Sequence, residues 1–289
     1  MGTKTSISWT DATINFTTGC TPVSDGCLNC YASRYAKRGL GDFADQSDAS
    51  NPDRGKRPFS EVRTHPGRLK IPLHWRKPRR IYVCSMGDLF HDAVPDEFID
   101  KVFAVMALCP QHTFKVLTKR PHRLLKYCKT LGRHHDIDRL SKAAGEIKHD
   151  AAFFYKLCSD GWALNNLWLG VTCENQQAAD ERIPLLLQTP AVVRFVTCEP
   201  MLGEIDLSKW IRGSDRELFQ SKDQSQPKQG QQGKISLIIC GGETGPGARP
   251  MHMDWARSLR DQCVAAGIAF HFKSWGEYCY ASQILRLPG

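Results

Sequence analysis

Long apolar runs are missing from this sequence. Its most apolar stretch, Val102–Cys109, is eight residues long, far short of the roughly 20 that a membrane-spanning helix needs. No apolar signal core follows Met1-Gly2-Thr3-Lys4-Thr5-Ser6, so the expected location is cytoplasmic, with no membrane partner. There is no second Cys-x-x-Cys pair to complete a four-cysteine zinc module. The glycine-rich Gly241-Gly242-Glu243-Thr244-Gly245-Pro246-Gly247 lacks the Lys-Ser/Thr of a phosphate-binding P-loop, which excludes that class of NTPase. With 41% hydrophobic and 24% charged residues, the composition excludes wholesale disorder and a fibrous protein. The 289 residues suffice to bury a full core without disulfide staples.

What is present is a series of short β-rich runs. They are Arg80–Cys84, Thr113–Thr118, Leu167–Thr172, Val192–Thr197, Ile235–Cys240 and Ile268–Lys273, with one more strand expected before Cys20. They are near-continuous in apolar character, as strands buried on both faces are. Between them lie helical patterns at Asp96–Cys109, Asn175–Leu187 and Met253–Ala266, the last closed by Gly267. Strand–helix alternation predicts parallel βαβ units. The expected fold is α/β, a partial or complete (β/α) barrel, with a doubly wound open sheet as the alternative. One domain over 1–289 is expected, with a polar, glutamine-rich flexible insertion at 213–234. Segment 132–161 reads as a longer connection with some helical character.

The strand ends share a character. Ser85-Met86-Gly87-Asp88 follows one strand and Lys119-Arg120-Pro121 the next. Thr172-Cys173-Glu174-Asn175 and Thr197-Cys198-Glu199-Pro200 are near copies, and Gly241-Gly242-Glu243 follows a fifth strand. Charged and glycine-rich residues therefore gather at one edge, the catalytic face of a barrel. Alternatively, Glu174 and Glu199 cap the helices that follow them. Glu199, Glu243, Arg249, Lys273 and Trp275 are candidates for a substrate site. Glu243 and Arg249 read equally as a mutual pair, and Lys273 and Trp275 as rim closure.

Among twelve cysteines, only Cys20, Cys27 and Cys30 are grouped, in Gly19-Cys20-Thr21-Pro22-Val23-Ser24-Asp25-Gly26-Cys27-Leu28-Asn29-Cys30. A reducing compartment disfavours disulfides, which leaves metal or cluster ligation as the default for a tight group. Three readings are open. The thiolates hold a [4Fe–4S] cluster, leaving one iron without a protein ligand. They hold structural zinc, completed by Cys84 or a histidine. Or they are small buried residues without a metal. A helix is expected to begin near Cys30. Cys84, Cys173, Cys198 and Cys240, near strand ends, read as buried thiols.

Charge is concentrated. Arg54–Arg80 holds ten basic residues against one acid, Glu61, so this segment alone carries the chain's net charge of +9. Such a stretch, interleaved with Phe59, His65, His74 and Trp75, is either a nucleic-acid contact or a solvated loop. Arg68, Lys70, Arg76, Lys77, Arg79 and Arg80 are the candidate contacts.

The run Trp9–Cys20, then Gly26-Cys27-Leu28-Asn29-Cys30-Tyr31-Ala32, resembles a phage- and mobile-element-associated family of unknown function with a three-cysteine motif. That family is similar to a divergent branch of the radical S-adenosylmethionine (SAM) superfamily. The resemblance continues through Ser85–Phe90, Leu117–Pro121, Gly170–Gln176, Cys198–Gly203, Gly241–Glu243 and Phe272–Gly276. It implies a partial barrel of the radical SAM kind with a [4Fe–4S] cluster on Cys20, Cys27 and Cys30. It also implies SAM as cofactor and a 5′-deoxyadenosyl radical used on a substrate, expected here to be a nucleic acid undergoing modification or repair. Further readings are a nucleic-acid-binding protein with a structural zinc or Fe–S site, and a radical enzyme acting on a peptide or small molecule. By the same resemblance, Ser85, Gly87 and Asp88 face the methionine amino group, Lys119 or Arg120 its carboxylate, and Glu174 or Asn175 the ribose. Tyr31 lies against adenine, in place of the aromatic residue usual where this chain has Asn29. Six residues separate the first two cysteines, where three are usual. A partner protein is also implied, and the electron donor is not named by any residue.

Overall fold

The computed structural model describes residues 5–39, 57–131, 134–147, 164–211, 233–280 and 284–286. Its frame is one seven-stranded sheet. In chain order the sheet strands and helices are β1 (Ala12–Ile14), α1 (Tyr31–Lys37), β2 (Arg80–Val83), α2 (Asp96–Leu108), β3 (Thr113–Thr118), α3 (Pro121–Thr130), α4 (His134–Ile147), β4 (Leu167–Thr172), α5 (Gln176–Gln188), β5 (Val193–Cys198), α6 (Ser208–Ile211), β6 (Ile235–Gly241), α7 (Met253–Ala266) and β7 (Ala269–Ser274). The strands pair in sequence order from β1 to β7, and every pair is parallel. A doubly wound sheet reverses its order at a switch point, and this one never does. The sheet is a half-barrel, and the doubly wound alternative is overturned. Its two edges approach where Ser8 Oγ, just before β1, meets His271 Nε2 of β7 at 2.8 Å.

The central strands have two buried faces, whereas the edge strand β7 is exposed or half-buried throughout. Along β4, Leu167, Leu169 and Val171 face the helices and join the main core with Ile14, Ile81, Val83, Phe114, Val116 and Val196. Trp168, by alternation, faces the concave side, with Trp9, Tyr82, Leu117, Phe195, Leu237 and Ile239. The buried ammonium of Lys115 lies on this side too, donating to the Trp9 carbonyl at 2.7 Å and sitting over the Trp168 ring. This double burial accounts for the near-continuous apolar strands.

Local signals set the helix ends. Pro95 precedes α2, and Asp96 and Glu97 fill its first turn, where acids complement the helix N-terminus. Asn175 caps α5, its Oδ1 accepting from Ala178 N at 2.9 Å. Gly267 ends α7 with a φ of 68°, a left-handed conformation open to glycine at little cost. The Val102–Cys109 run is buried in α2 and its cap. No helix among the described residues is long and apolar enough to cross a membrane. Of segment 132–161, residues 134–147 form α4, and the rest of it lies outside the described residues apart from that helix. The 213–234 insertion also lies outside them, save Gly233 and Lys234.

Gly170 marks the tightest place on the concave side. A Cβ there would stand 2.6 Å from the fully buried Phe195 ring. Gly170→Ala is expected to cost about 1–3 kcal/mol through overpacking, read as a lower urea midpoint at an unchanged slope. An unchanged midpoint would contradict this packing.

Candidate functional site

The loop that leaves β1 carries all three grouped cysteines across the C-terminal edge of the sheet. Cys20, Cys27 and Cys30 are half-exposed, whereas the other cysteines among the described residues are buried. All three line a cavity of about 990 Å³ at that edge. The loop is pinned on two sides. On one, Gly19 N donates to Met86 O at 3.0 Å and Cys20 N to Phe59 O at 2.7 Å. Gly19, with a φ of 90°, leaves no room for a side chain, since a Cβ would meet the Glu61 carbonyl at 2.2 Å.

On the other side the glycine-rich strand end clasps the loop. Glu243 Oε2 accepts from Asn29 Nδ2 at 3.0 Å and from Arg249 N and Nε at 2.8 and 2.9 Å. Glu243 Oε1 accepts from Arg249 Nη2 at 2.6 Å, and that nitrogen also reaches Asp25 O at 2.8 Å. Asn29 Nδ2 donates to Gly247 O at 2.7 Å, and Arg34 of α1 donates to the Thr244 and Pro246 carbonyls. Burial would push the Glu243 carboxyl up, but Arg249 and Asn29 hold it below its usual value. Glu243 and Arg249 are thus the mutual pair, and together they orient the cysteine loop. Asn29 acts as the clasp, which accounts for a polar residue at this position.

Asp88 is buried at the cavity wall. Its carboxylate accepts from Phe90 N, Thr118 Oγ1, Lys119 N and Arg120 Nη1 at 2.8–3.2 Å. Those bonds use the acceptor sites of a carboxylate, so Asp88 is an internal organiser and not a free acceptor for an amino group. Arg120 is the residue it organises. Arg120 Nη1 also donates to Cys20 Sγ at 3.3 Å, and Nη2 to Thr21 O and Oγ1 at 2.9 and 3.0 Å. Burial, with Asp88 beside it, pushes the Cys20 thiol up to about 11, against the pull of Arg120. Metal binding to such a thiol releases its proton.

The cavity brings together most of the predicted site. Ser85, Gly87, Asp88, Lys119, Tyr31, Glu199, Glu243 and Lys273 all line it. Ser85 Oγ donates to Asn15 Oδ1 at 3.1 Å, and the Ser85 carbonyl accepts from Tyr31 OH at 2.5 Å. Gly87 is packed against the Gly19 carbonyl, 3.0 Å from where its Cβ would stand. Lys273 of β7 and Glu199 beyond β5 form an ion pair in the cavity wall, over Gly241.

Four expectations are corrected. Glu174 and Asn175 do not line the cavity. Glu174 forms a bidentate pair with Arg182 (2.9 and 3.3 Å) under Gly26, and Asn175 caps α5. Trp275 packs outside, its ring 4.5 Å from Phe272 and its carbonyl against Gly242. Arg249 belongs to the clasp. Cys84 is no fourth zinc ligand, because its sulfur is buried and accepts from Thr17 Oγ1 at 3.3 Å. Cys173, Cys198 and Cys240 are buried thiols as expected.

The basic stretch divides between the two ends of the sheet. Its first part, near Arg57 and Phe59, flanks the cysteine loop, where Arg57 donates to Thr18 Oγ1 at 2.6 Å. Its last part lies at the opposite end, because Arg80 opens β2, where it pairs with Asp11 at 2.7 Å. Arg79 stacks over Trp75 at 4.6 Å, and Arg68 Nη1 donates to Asn15 O at 2.7 Å. Lys70, Arg76 and Lys77 are exposed. None of these six candidates lines the cavity.

Sequence reasoning missed Thr172 and Thr197 as lining residues, with their hydroxyls 3.2 Å apart. The near-copied Val-Thr-Cys-Glu ends held the signal. Alternation sends each threonine to the concave side and each cysteine to the helices. Asn29 and Arg34 were missed as clasp residues, and no sequence pattern marks a contact across more than two hundred residues.

A family profile described as a protein of unknown function, DUF5131, matches residues 4–286. The chain belongs to that family. No curated protein and no solved structure gives a match. DUF5131 membership fixes no activity, so the chemistry of the DUF5131 cavity rests on the side chains above.

The donor set tests which metal group fits. Among the described residues, no three His, Cys, Asp or Glu side chains come together as a group that could hold one metal ion. A structural zinc ion needs four ligands at about 2.0–2.3 Å. Cys20, Cys27 and Cys30 line one cavity, and thiolates are the donors that an iron–sulfur cluster takes.

The buried Glu174–Arg182 pair supports the cysteine loop from below. Burial would raise the Glu174 carboxyl, but Arg182 holds it below its usual value, so its contribution is present at neutral pH and lost as pH falls through that lowered value. Arg182→Met is expected to cost about 3–5 kcal/mol by stranding the buried carboxylate, and Glu174→Leu with Arg182→Met to recover most of it. Chemical denaturation reads both. A double variant as unstable as the single one would contradict the pair as the source.

Proposed function

We propose that this chain is an iron–sulfur, radical SAM-like enzyme that modifies or repairs a nucleic acid. The observation that carries the reading is the placement of Cys20, Cys27 and Cys30. They are half-exposed thiols on the loop after the first strand, facing one cavity at the C-terminal edge of a parallel half-barrel. These three residues would hold a [4Fe–4S] cluster, with SAM bound beside it. When bound there, the pair supplies one-electron cleavage of the SAM sulfonium to methionine and a 5′-deoxyadenosyl radical, which abstracts hydrogen from substrate.

The chain's own residues serve that chemistry by positioning and by excluding water. Arg120, fixed by Asp88, donates to Cys20 and places a positive charge beside its sulfur. Lys119 lines the cavity, with no carboxylate among the described residues at ion-pair distance, and its charge also acts on the buried Glu174. It is the cation available for the SAM carboxylate. Tyr31, tied to Ser85, presents its ring at the wall next to Cys30. The Glu199–Lys273 pair and the Thr172 and Thr197 hydroxyls form a polar far wall, offering donors and acceptors to a substrate.

Anaerobic reconstitution followed by iron and sulfide analysis tests the metal reading. About four of each per chain are expected. Cys20→Ala, Cys27→Ala and Cys30→Ala should each lose most of that content, while Cys84→Ala and Cys240→Ala keep it. One zinc per chain in place of iron, or iron retained by the triple variant, would overturn the reading.

A further inference from the structure

We infer that the mouth of the cysteine cavity, and not the Arg76–Arg80 end of the basic stretch, is the surface that takes an unpaired, single-stranded nucleic acid. The inference rests on the nucleic-acid reading above and gives it a location.

The first observation is apolar exposure. Leu28 is 70% exposed and Tyr35 47% exposed, with Val23 and Tyr31 beside them, among the few large apolar side chains in the described residues that face solvent. All four line the cavity, so they form its rim. Tyr31 and Tyr35 stand one helical turn apart on α1, their rings 6.5 Å apart and edge to face. Aromatic side chains at the lip of a groove are stacking platforms for bases, which every base can use through its π-face.

The second observation is charge. Each carboxylate that lines the cavity is already paired: Asp88 with Arg120, Glu199 with Lys273, and Glu243 with Arg249. Lys37 at the rim and Lys119 in the wall also line it, neither within ion-pair distance of a carboxylate among the described residues, although the Lys119 charge also acts on the buried Glu174. The cavity therefore carries surplus positive charge, with exposed Arg38 adjoining Lys37. That surplus fits phosphate at the rim.

The third observation is depth. From the rim, about 990 Å³ runs inward to Thr172, Thr197, Glu199 and Lys273. A base removed from its stack finds hydrogen-bonding partners there, as enzymes acting on nucleobases require. By contrast, Arg80 begins β2, so the 76–80 cluster lies at the far end of the sheet, a strand's length from the cysteines.

Fluorescence anisotropy tests this with a labelled single-stranded DNA of about 12 nucleotides and the RNA of the same sequence, each titrated against the full chain. Tyr35→Ala should weaken binding about 5- to 150-fold, the range for loss of one base stack. Lys37→Glu with Arg38→Glu should weaken it further and flatten the salt dependence. Arg76→Glu with Lys77→Glu should bind as the unaltered chain does. Leu28→Glu, at the most exposed of the four apolar rim positions, serves as a second rim variant should Tyr35→Ala unfold. The inference is overturned if the 76/77 variant loses binding while the rim variants keep it. It is also overturned if the unaltered chain binds neither oligonucleotide, even where an acidic electron-carrier protein docks at the rim. Iron content is read on the same samples. Binding lost by the 76/77 variant but kept by the rim variants sinks this inference alone, a normal cluster in an unaltered chain that binds neither oligonucleotide sinks the nucleic-acid reading with it, and absence of a cluster with oligonucleotide binding intact sinks only the radical reading.

Discussion

The Glu243 carboxylate is the hub of the bonds that join two parts of the chain more than two hundred residues apart. It sits just past β6, yet it collects hydrogen bonds from Asn29 in the cysteine loop and from three nitrogens of Arg249. Through Arg249 it reaches Asp25 as well. A loop with Gly19, Pro22 and Gly26 has little structure of its own. Clamped at Asn29 and Asp25, it must present Cys27 and Cys30 to the cavity. At the other end, Arg120, itself fixed by Asp88, holds Cys20. Three thiols from one loop are thus positioned by two buried or half-buried ion pairs.

Such pairs contribute little net stability, because desolvation offsets much of the attraction. Their use is geometric. Removing one partner strands a buried charge, so the structure tolerates only the arrangement in which both meet. The same logic holds for Glu174 and Arg182, which lie beneath Gly26. The half-barrel supplies the rigid base. Its helix-facing side is a continuous apolar core, and its concave side is filled by Trp9, Phe195 and Ile239, with Lys115 and Trp168 around them. The cavity lies at the C-terminal edge, and there the polar side chains gather.

Much of the frame was legible in the sequence because it follows from local rules. Strands buried on both faces read as continuous apolar runs, and Pro95, Asn175 and Gly267 mark helix ends wherever they are placed. The cysteine spacing was legible for the same reason. Partnership across the chain was not. Glu174 and Glu199 occupy equivalent places in two near-identical strand ends. One turns to Arg182 eight residues on and the other to Lys273 in a distant strand. The basic stretch was misjudged as a unit because charge along a chain does not record which end of a sheet each residue reaches. The short turns at Pro66–Arg68 and Pro72–His74 lie between its two parts, which end on opposite sides of the sheet.

The central claim is that this positioning serves a cluster to which SAM binds. Electron paramagnetic resonance of the reconstituted, dithionite-reduced chain, recorded with and without SAM, tests it most directly. A [4Fe–4S]⁺ signal that changes when SAM is added is the predicted result. A cluster signal indifferent to SAM, or no cluster signal in a chain that instead binds zinc, would contradict it.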